Sequence, residues 1–322
     1  MHWFAVLALL VLTACGGSDP AGRDTKVLRV GHFPNVTHAH GVVAHHLSRA
    51  GRGWFEARLG PDVRIDWFVF NAGPSAMESL LAGSIDLTYV GPNPALNAHI
   101  RSGGEEVRVV AGATFGGAAL VVRGDAGIAR PEDFRGKKVA TPQFGNTQDV
   151  VLRAWLLDHG YRITQTGGDV LVLPTHNPDQ LALMARGKLD AAWTVEPWVS
   201  RLELEAGARV FLEEPDAVTT VLVASARFLA RERELVRRFV QAHEELTAWL
   251  LAHPDEAQRM LREEILAETR SELPEALVAR CWPRLHITSA VTREAFERFL
   301  EDAVRTGFLA QPFPLDRFVE RP

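Results

Sequence analysis

Val30-Gly31-His32-Phe33-Pro34-Asn35-Val36-Thr37-His38-Ala39-His40 is the stretch that decides how this chain is read. The apolar run Val27 to Val30 leads into it, and Val42, Val43, Ala44 and Leu47 follow at helical spacing. A strand therefore runs into a Gly/Pro/Asn turn, and the turn opens a helix. The first turn of a helix leaves backbone N–H groups unpaired and concentrates partial positive charge, which suits an anionic ligand. The same junction recurs along the chain.

From Lys26 onward strand and helix patterns alternate, which points to α/β architecture with parallel sheets. Val63 to Phe70 reads as a strand ending in Asn71-Ala72-Gly73-Pro74-Ser75, with Ser75 and Glu78 at capping-box spacing. Ile85 to Val90 runs into Gly91-Pro92-Asn93-Pro94, where Asn93 is the expected N-cap and Pro94 the first helical residue. Strands at Val107 to Ala113 and Ala119 to Val122 flank a Gly116-Gly117 turn. Val139 to Thr141 leads to Pro142 to Asp149, where Asn146 or Thr147 caps a helix. Val170 to Leu173 is a further strand, Asn177-Pro178 opens a helix, and Leu189 to Trp193 leads to Glu196-Pro197-Trp198. After a strand at Val221 to Ala224 the chain reads as helices with dense Glu/Arg faces, then a Pro-rich tail from Gln311 that is docked or loose.

Two of these units echo each other. Gly83-Ser84-Ile85-Asp86 matches Gly187-Lys188-Leu189-Asp190, with Tyr89 and Trp193 three residues after each aspartate. A repeat at this long spacing suggests two related lobes and is too long for a solenoid.

The 322 residues suffice for about two domains. With 23% charged and 47% hydrophobic residues the composition is that of a folded chain. A net charge of −5 carries no basic footprint for nucleic acid. An anionic ligand must then be held by local donors. Near the start, the apolar run Phe4 to Leu12 is too short to cross a bilayer. It ends in Leu12-Thr13-Ala14-Cys15-Gly16-Gly17-Ser18, which is similar to a bacterial lipobox, although Met1-His2-Trp3 lacks the usual Lys or Arg. Residues 1–14 are expected to be a lipoprotein signal peptide, Cys15 the lipidated residue, and 15–25 a linker. Cys281 is then without a partner and reads as a packed thiol.

Several catalytic templates are missing: no G-x-S-x-G elbow, no P-loop, no G-x-G-x-x-G after a strand. What recurs is a set of strand-end loops rich in small polar residues and aromatics, the kind that converge on a ligand beyond the carboxyl ends of the strands. His32, His38, His40, His45 and His46 crowd one stretch, but no acidic or cysteine cluster accompanies them in sequence. No metal and no cofactor are expected. Trp193 and Trp198 are either core or cleft wall.

The segments Gly31 to Ala39, Gly73 to Ala76, Ala82 to Asn97 and Gly145 to Val150 resemble the substrate-binding proteins of nitrate/sulfonate/taurine ABC importers, an NMT1-like family. The likeness runs from about Val27 to Leu222. It implies a type II periplasmic-binding-protein fold: two doubly wound α/β lobes joined by two hinge strands that close on ligand. Residues 26–117 plus 222–322 would form the first lobe and 118–221 the second, with hinges near Ala118 to Val121 and Thr219 to Leu222. By position, the resemblance offers Asn35, Thr37, His38, Ser75, Asn93, Gly117, Asn146, Thr147, Gln148, Glu196 and Trp198 as ligand contacts. Glu196 would disfavour a bare anion and suit an amino group. No Arg is obviously placed to clamp a sulfonate; Arg123 and Arg153 are the ones left open. The implied function is an exported, lipid-anchored, monomeric solute-binding protein that delivers a small organic anion to an ABC permease. A binder of a pyrimidine-type vitamin precursor is the alternative. An enzyme like the thiamine-pyrimidine synthases of the same fold is disfavoured, because the chain has no cysteine cluster.

Overall fold

The structure, a computed structural model, describes residues 25–164 and 167–322. The expected signal peptide, Cys15 and nearly all of the linker lie outside the described residues. In chain order, β1 (Lys26–His32), β2 (Val63–Val69), β3 (Leu87–Val90) and β4 (Val107–Gly116) come first. Then follow β5 (Ala118–Arg123), β6 (Lys138–Thr141), β7 (Leu171–Pro174), β8 (Ala191–Val195) and β9 (Ala208–Glu213). β10 (Val218–Ser225) and β11 (Leu285–Ile287) complete the set.

They form two sheets, ordered β11-β4-β10-β3-β1-β2 and β7-β6-β8-β5-β9. Each is built on one plan. In the first sheet β2, β1 and β3 are parallel neighbours, and β10, returning from the other lobe, inserts antiparallel between β3 and β4. In the second sheet β7, β6 and β8 are parallel, and β5, arriving from the first lobe, inserts antiparallel between β8 and β9. Parallel neighbours need crossovers, and helices Ala39–Arg49, Gly73–Leu81, Thr147–Asp158 and Asn177–Ala185 supply them.

The chain changes lobe twice. It leaves the first sheet at Gly116 and Gly117, whose φ angles are +69° and +71°. A Cβ at Gly116 would sit 2.6 Å from the Arg284 carbonyl oxygen and 2.9 Å from that of Pro215, so both the turn and the close approach require glycine. It returns between β9 and β10 through residues 214–217. β10 begins at Val218 in the first sheet, ahead of the residue 222 at which the sequence reading placed the return.

The echo of two short motifs has a structural counterpart. The Asp86 carboxylate accepts the Arg29 N–H at 2.9 Å, and the Asp86 N–H donates to the Arg29 carbonyl at 2.9 Å. Asp190 makes the same pair of 2.9 Å bonds with Lys138. Each aspartate thus clips the strand that follows it, β3 or β8, to the middle strand of the lobe's parallel trio, β1 or β6.

Hydrophobic burial stabilises both faces of the first sheet. On one side Leu28, Val30, Val42, Leu47, Phe239 and Met260 pack together, with Phe55 stacked on Phe239 at 4.0 Å between ring centres. A second core runs from Leu80, Val109 and Val221 into the other lobe through Leu120, Phe134 and Val139. The tail is docked: Val109 N–H donates to the Phe318 carbonyl at 2.7 Å, and Glu320 N–H to the Val109 carbonyl at 2.9 Å. The aromatic ring of Phe318 is fully buried.

Candidate functional site

Four helices begin at one place between the lobes. Helix Gly73–Leu81 starts there at Ala72 and Gly73, helix Pro92–Arg101 at Gly91, helix Thr147–Asp158 at Asn146 and Thr147, and helix Asn177–Ala185 at Asn177. All of these residues line one cavity, closed on the β1 side by Phe33, Asn35, Thr37 and His38. The helix starts turn the positive ends of their dipoles to the space they share, with Pro74, Pro92, Pro94 and Pro178 supplying no N–H in three of the first turns.

The loop at the second-lobe wall is held from behind. Asn146 Oδ1 caps its helix by accepting the Asp149 N–H at 2.9 Å. The buried Asp149 carboxylate in turn accepts Thr141 Oγ1 at 2.9 Å, Gly145 N–H at 3.0 Å and Arg153 Nε at 3.2 Å. Arg153 is therefore spent on scaffold, and Arg123 bonds the Leu189 carbonyl and Asp190. Neither arginine lines the cavity.

No Lys, Arg, Asp or Glu stands among the residues lining the cavity. His38 is the only titratable side chain there, stacked on Phe33 with 4.3 Å between ring centres. Burial first, and then the neighbouring His32, hold its imidazole well below its ordinary pKa, so it is neutral. Its Nδ1 accepts the Phe33 N–H at 3.4 Å, which leaves the ring proton on Nε2 as a donor. Every polar side chain available to a ligand is thus a neutral amide, hydroxyl or imidazole.

Of the residues singled out in the sequence, Asn35, Thr37, His38, Asn146, Thr147 and Gln148 line this cavity together. Asn93 lies beside it: its N–H points to Thr147 Oγ1 at 3.4 Å across the lobes, and both polar atoms of its buried side chain lack a partner. It is the second residue of its helix, whose N-cap is Gly91, because Pro92 already fits the first position. Ser75 is likewise inside its helix, its hydroxyl donating to the Ala72 carbonyl at 2.9 Å, so the expected capping box does not form. Trp198 stands at the entrance, in a second, open pocket that adjoins the first at Asn35, Asn71 and Asn177, with Nε1 3.4 Å from Asn35 Oδ1. Trp193, by contrast, is core.

Glu196 and Gly117 are elsewhere. The Glu196 carboxylate is fully buried against Ser200, Cys281 and Arg284, and Gly117 lies at the lobe crossover. Three lining residues with polar side chains escaped the sequence reading as contacts: Asn71, Asn177 and Thr219. Asn71 and Asn177 sit in the same strand-to-helix junctions as the others and were open to the same inference. Thr219, whose hydroxyl donates to the Gly116 carbonyl, carried no signal, being placed by the return of β10.

The histidine-rich stretch divides by position. His40 is buried in the fold, with Nε2 2.9 Å from Thr247 Oγ1 and its ring 4.3 Å from that of His243. His32 and His45 point away from the cavity, toward the helix Pro254–Thr269.

Two lobes, two crossovers and a cavity between helix starts define the type II periplasmic-binding-protein fold. The chain belongs to the NMT1-like family, which matches residues 21–265. It is 27% identical over 195 residues to the taurine-binding periplasmic protein of Escherichia coli (strain K12), covering 59% of each chain. It is 31% identical over 160 residues to a putative aliphatic sulfonates-binding protein of the same organism, covering 48% of this chain and 47% of the other. The chain thus spans about three fifths of the first relative and about half of the second. Among solved structures, the alkanesulfonate-binding protein of Xanthomonas axonopodis pv. citri bound to MOPS superposes with a TM-score of 0.75 at 21% identity, over 92% of this chain and 98% of that one. These proteins are named as binding proteins, not enzymes.

Proposed function

We propose that this chain is the exported solute-binding component of an ABC importer, and that the cavity between the lobes takes a small organic anion of the sulfonate, taurine or nitrate class. The observation that carries the reading is the meeting of four helix N-termini on a cavity lined without a single charged side chain. Fixed N–H dipoles favour an oxyanion in such a place, with no counter-ion needed. The names of the relatives support the same class of ligand. Asn35, Thr37, His38, Asn93, Asn146, Thr147 and Gln148 are its proposed contacts, together with Asn71, Asn177 and Thr219. The amide oxygens of the asparagines would accept from the amino group of a zwitterion such as taurine. Capture would be by closure of the lobes about the two crossovers, and release to the permease by reopening. The chain would act as a monomer held to the membrane through lipid on Cys15.

One observation favours a second reading. Phe33 stacked on His38 gives the cavity an aromatic wall, and Trp198 stands at its entrance. A pyrimidine-type vitamin precursor could stack there. A thermal-shift panel of taurine, alkanesulfonates, nitrate, bicarbonate and pyrimidines separates the two, because a ligand of the native state raises the melting temperature by mass action. A shift with a sulfonate or taurine supports the first reading; a shift with a pyrimidine alone transfers the assignment to the second. Membrane fractionation of Cys15→Ala tests the anchor: a variant that stays membrane-bound rules it out.

A further inference from the structure

Behind the cavity wall, three donor atoms from distant parts of the chain meet at one point. His32 Nε2, at the end of β1, is 3.0 Å from His45 Nδ1 on the helix Ala39–Arg49. His45 Nδ1 is 2.8 Å from Glu268 Oε1 on the helix Pro254–Thr269, and His32 Nε2 is 3.1 Å from the same oxygen. Among the described residues this is the group of His, Cys, Asp or Glu whose ligand atoms gather closely enough to hold a metal ion. The sequence reading assigned no metal because no acid stands near these histidines in the chain. The acid is supplied from more than two hundred residues away.

We infer that His32, His45 and Glu268 form a binding site for a divalent transition metal of the zinc class. The spacing is the first argument. Donors about 2.0–2.2 Å from a metal lie roughly 2.8–3.1 Å from one another at the 90° angles of five- and six-coordinate sites, and the edges of 3.0, 2.8 and 3.1 Å here match. The protons are the second. His32 Nδ1 lies 3.3 Å from the Phe33 carbonyl, so Nδ1 carries a proton and Nε2 is the nitrogen turned to the other two donors. That backbone bond is the usual outer support of a metal-ligating imidazole. His32 Nε2 then faces a carboxylate oxygen at 3.1 Å, a contact that a proton or a metal ion between the two satisfies. The third argument is Glu268 Oε2, which is buried and has no partner.

Metal binding requires His45 to ligate through Nδ1 and carry its proton on Nε2. Nε2 is 3.3 Å from Arg49 Nη2, so this Arg49 contact has to yield. Arg49 keeps its bonds to Glu264 at 2.7, 3.1 and 3.2 Å. Trp67 packs on both imidazoles, with ring centres 5.4 and 5.6 Å away, and fixes their orientation. Glu268 also lines the entrance cavity with Asn35 and Trp198, which puts the cluster next to solvent-accessible space. A water molecule or a ligand atom can fill the remaining position, as in sites with three protein ligands. This inference does not rest on the solute-binding reading.

The test is a titration of the chelator-treated, full-length chain with Zn²⁺ alone, read by calorimetry and by metal content after desalting. One zinc per chain is expected, with affinity lowered at least a hundredfold in Glu268→Gln and in His45→Asn. Co²⁺ in the wild-type chain should give the visible absorption bands of a four- or five-coordinate ion, which keeps the test valid if a variant fails to fold. Absence of stoichiometric uptake, affinity unchanged in both variants, or a Co²⁺ spectrum no different from the hydrated ion overturns the assignment. Taurine or sulfonate binding by metal-free protein leaves the inference untouched, so its failure and that of the transport reading are distinguishable.

Discussion

Arg284 Nη1 lies 2.8 Å from Glu196 Oε1, and the contact joins the two lobes. Arg284 leads into β11 of the first sheet; Glu196 follows β8 of the second. The same guanidinium reaches Glu203 at 3.1 Å and Glu213 at 2.9 Å, both also from the second lobe. Glu196 additionally accepts the Ser200 N–H at 3.1 Å and Oγ at 2.9 Å. The carboxylate that seemed to argue against an anionic ligand is therefore a buried counter-ion of Arg284, turned away from the cavity. Burial, with Glu196 alongside, pushes the Cys281 thiol far up and leaves it inert.

Removing the cation from this knot is costly. Arg284→Ala leaves Glu196 buried and uncompensated, and breaking such a pair costs about 3–5 kcal/mol. Because Arg284 is 23% exposed at its side chain, water screens part of the loss, and the lower end of that range is expected. Urea unfolding at neutral pH measures it. A loss under about 1 kcal/mol would show that the lobes are not held by this contact.

The paired aspartates predict an ordered pair of effects. Asp86→Ala strips the buried partner from the Arg29 backbone and guanidinium and should cost about 2–3 kcal/mol. Asp190→Ala removes the equivalent clip at Lys138, but its side chain is 22% exposed against 5% for Asp86, so water replaces part of it and about 1 kcal/mol is expected. Thermal melts of both variants give the order; a larger loss at Asp190 would reverse the argument.

Stability should fall on acidification from pH 7 to 5. Burial lowers His243 from 6.5 to about 4 in the fold. Between those values the unfolded chain takes up a proton that the folded chain refuses. The stability is complete above 6.5 and is lost as the pH falls toward 4, a term of about 3 kcal/mol. Burial holds His38 and His40 well below 6.5 as well, with the same sign. Asp302 opposes them: burial raises it from 3.8 to about 6, so its term favours the fold at low pH and is lost as the pH rises through that window. Three histidines outweigh one aspartate. A melting temperature that rises from pH 7 to 5 would contradict the buried neutral imidazoles.

Thr147→Val separates recognition from folding. The hydroxyl lines the cavity and accepts the Asn93 N–H at a long 3.4 Å, so its removal costs the fold little. One lost hydrogen bond to a ligand corresponds to roughly tenfold in affinity. Calorimetry on the ligand found in the panel reads the change; equal affinity in variant and wild type would remove Thr147 from the contacts.

The strand-to-helix junctions were legible because each announces itself locally, through Gly, Pro and Asn at the end of an apolar run. Those junctions hold Asn35, Thr37, His38, Asn146, Thr147 and Gln148, which the family resemblance offered by position and which line one cavity. The short motif at Gly83 to Asp86 and its echo at Gly187 to Asp190 marked the repeated plan of the two sheets. What escaped depends on distant parts of the chain. β9 and β11 are sequences of mixed polarity that become strands only beside β5 and β4. The burial of Glu196 required Arg284, and the meeting of His32 with His45 required Glu268, partners that no spacing along the chain reveals.

The most direct test of the binding claim is calorimetric titration of the chain, prepared free of bound solute, with taurine and with a short alkanesulfonate. The account predicts saturable binding of at least one of them at a ratio of one ligand per chain, weakened by His38→Ala and by Thr147→Val. No heat with taurine, any sulfonate or nitrate, alongside saturable binding of a pyrimidine, would contradict it.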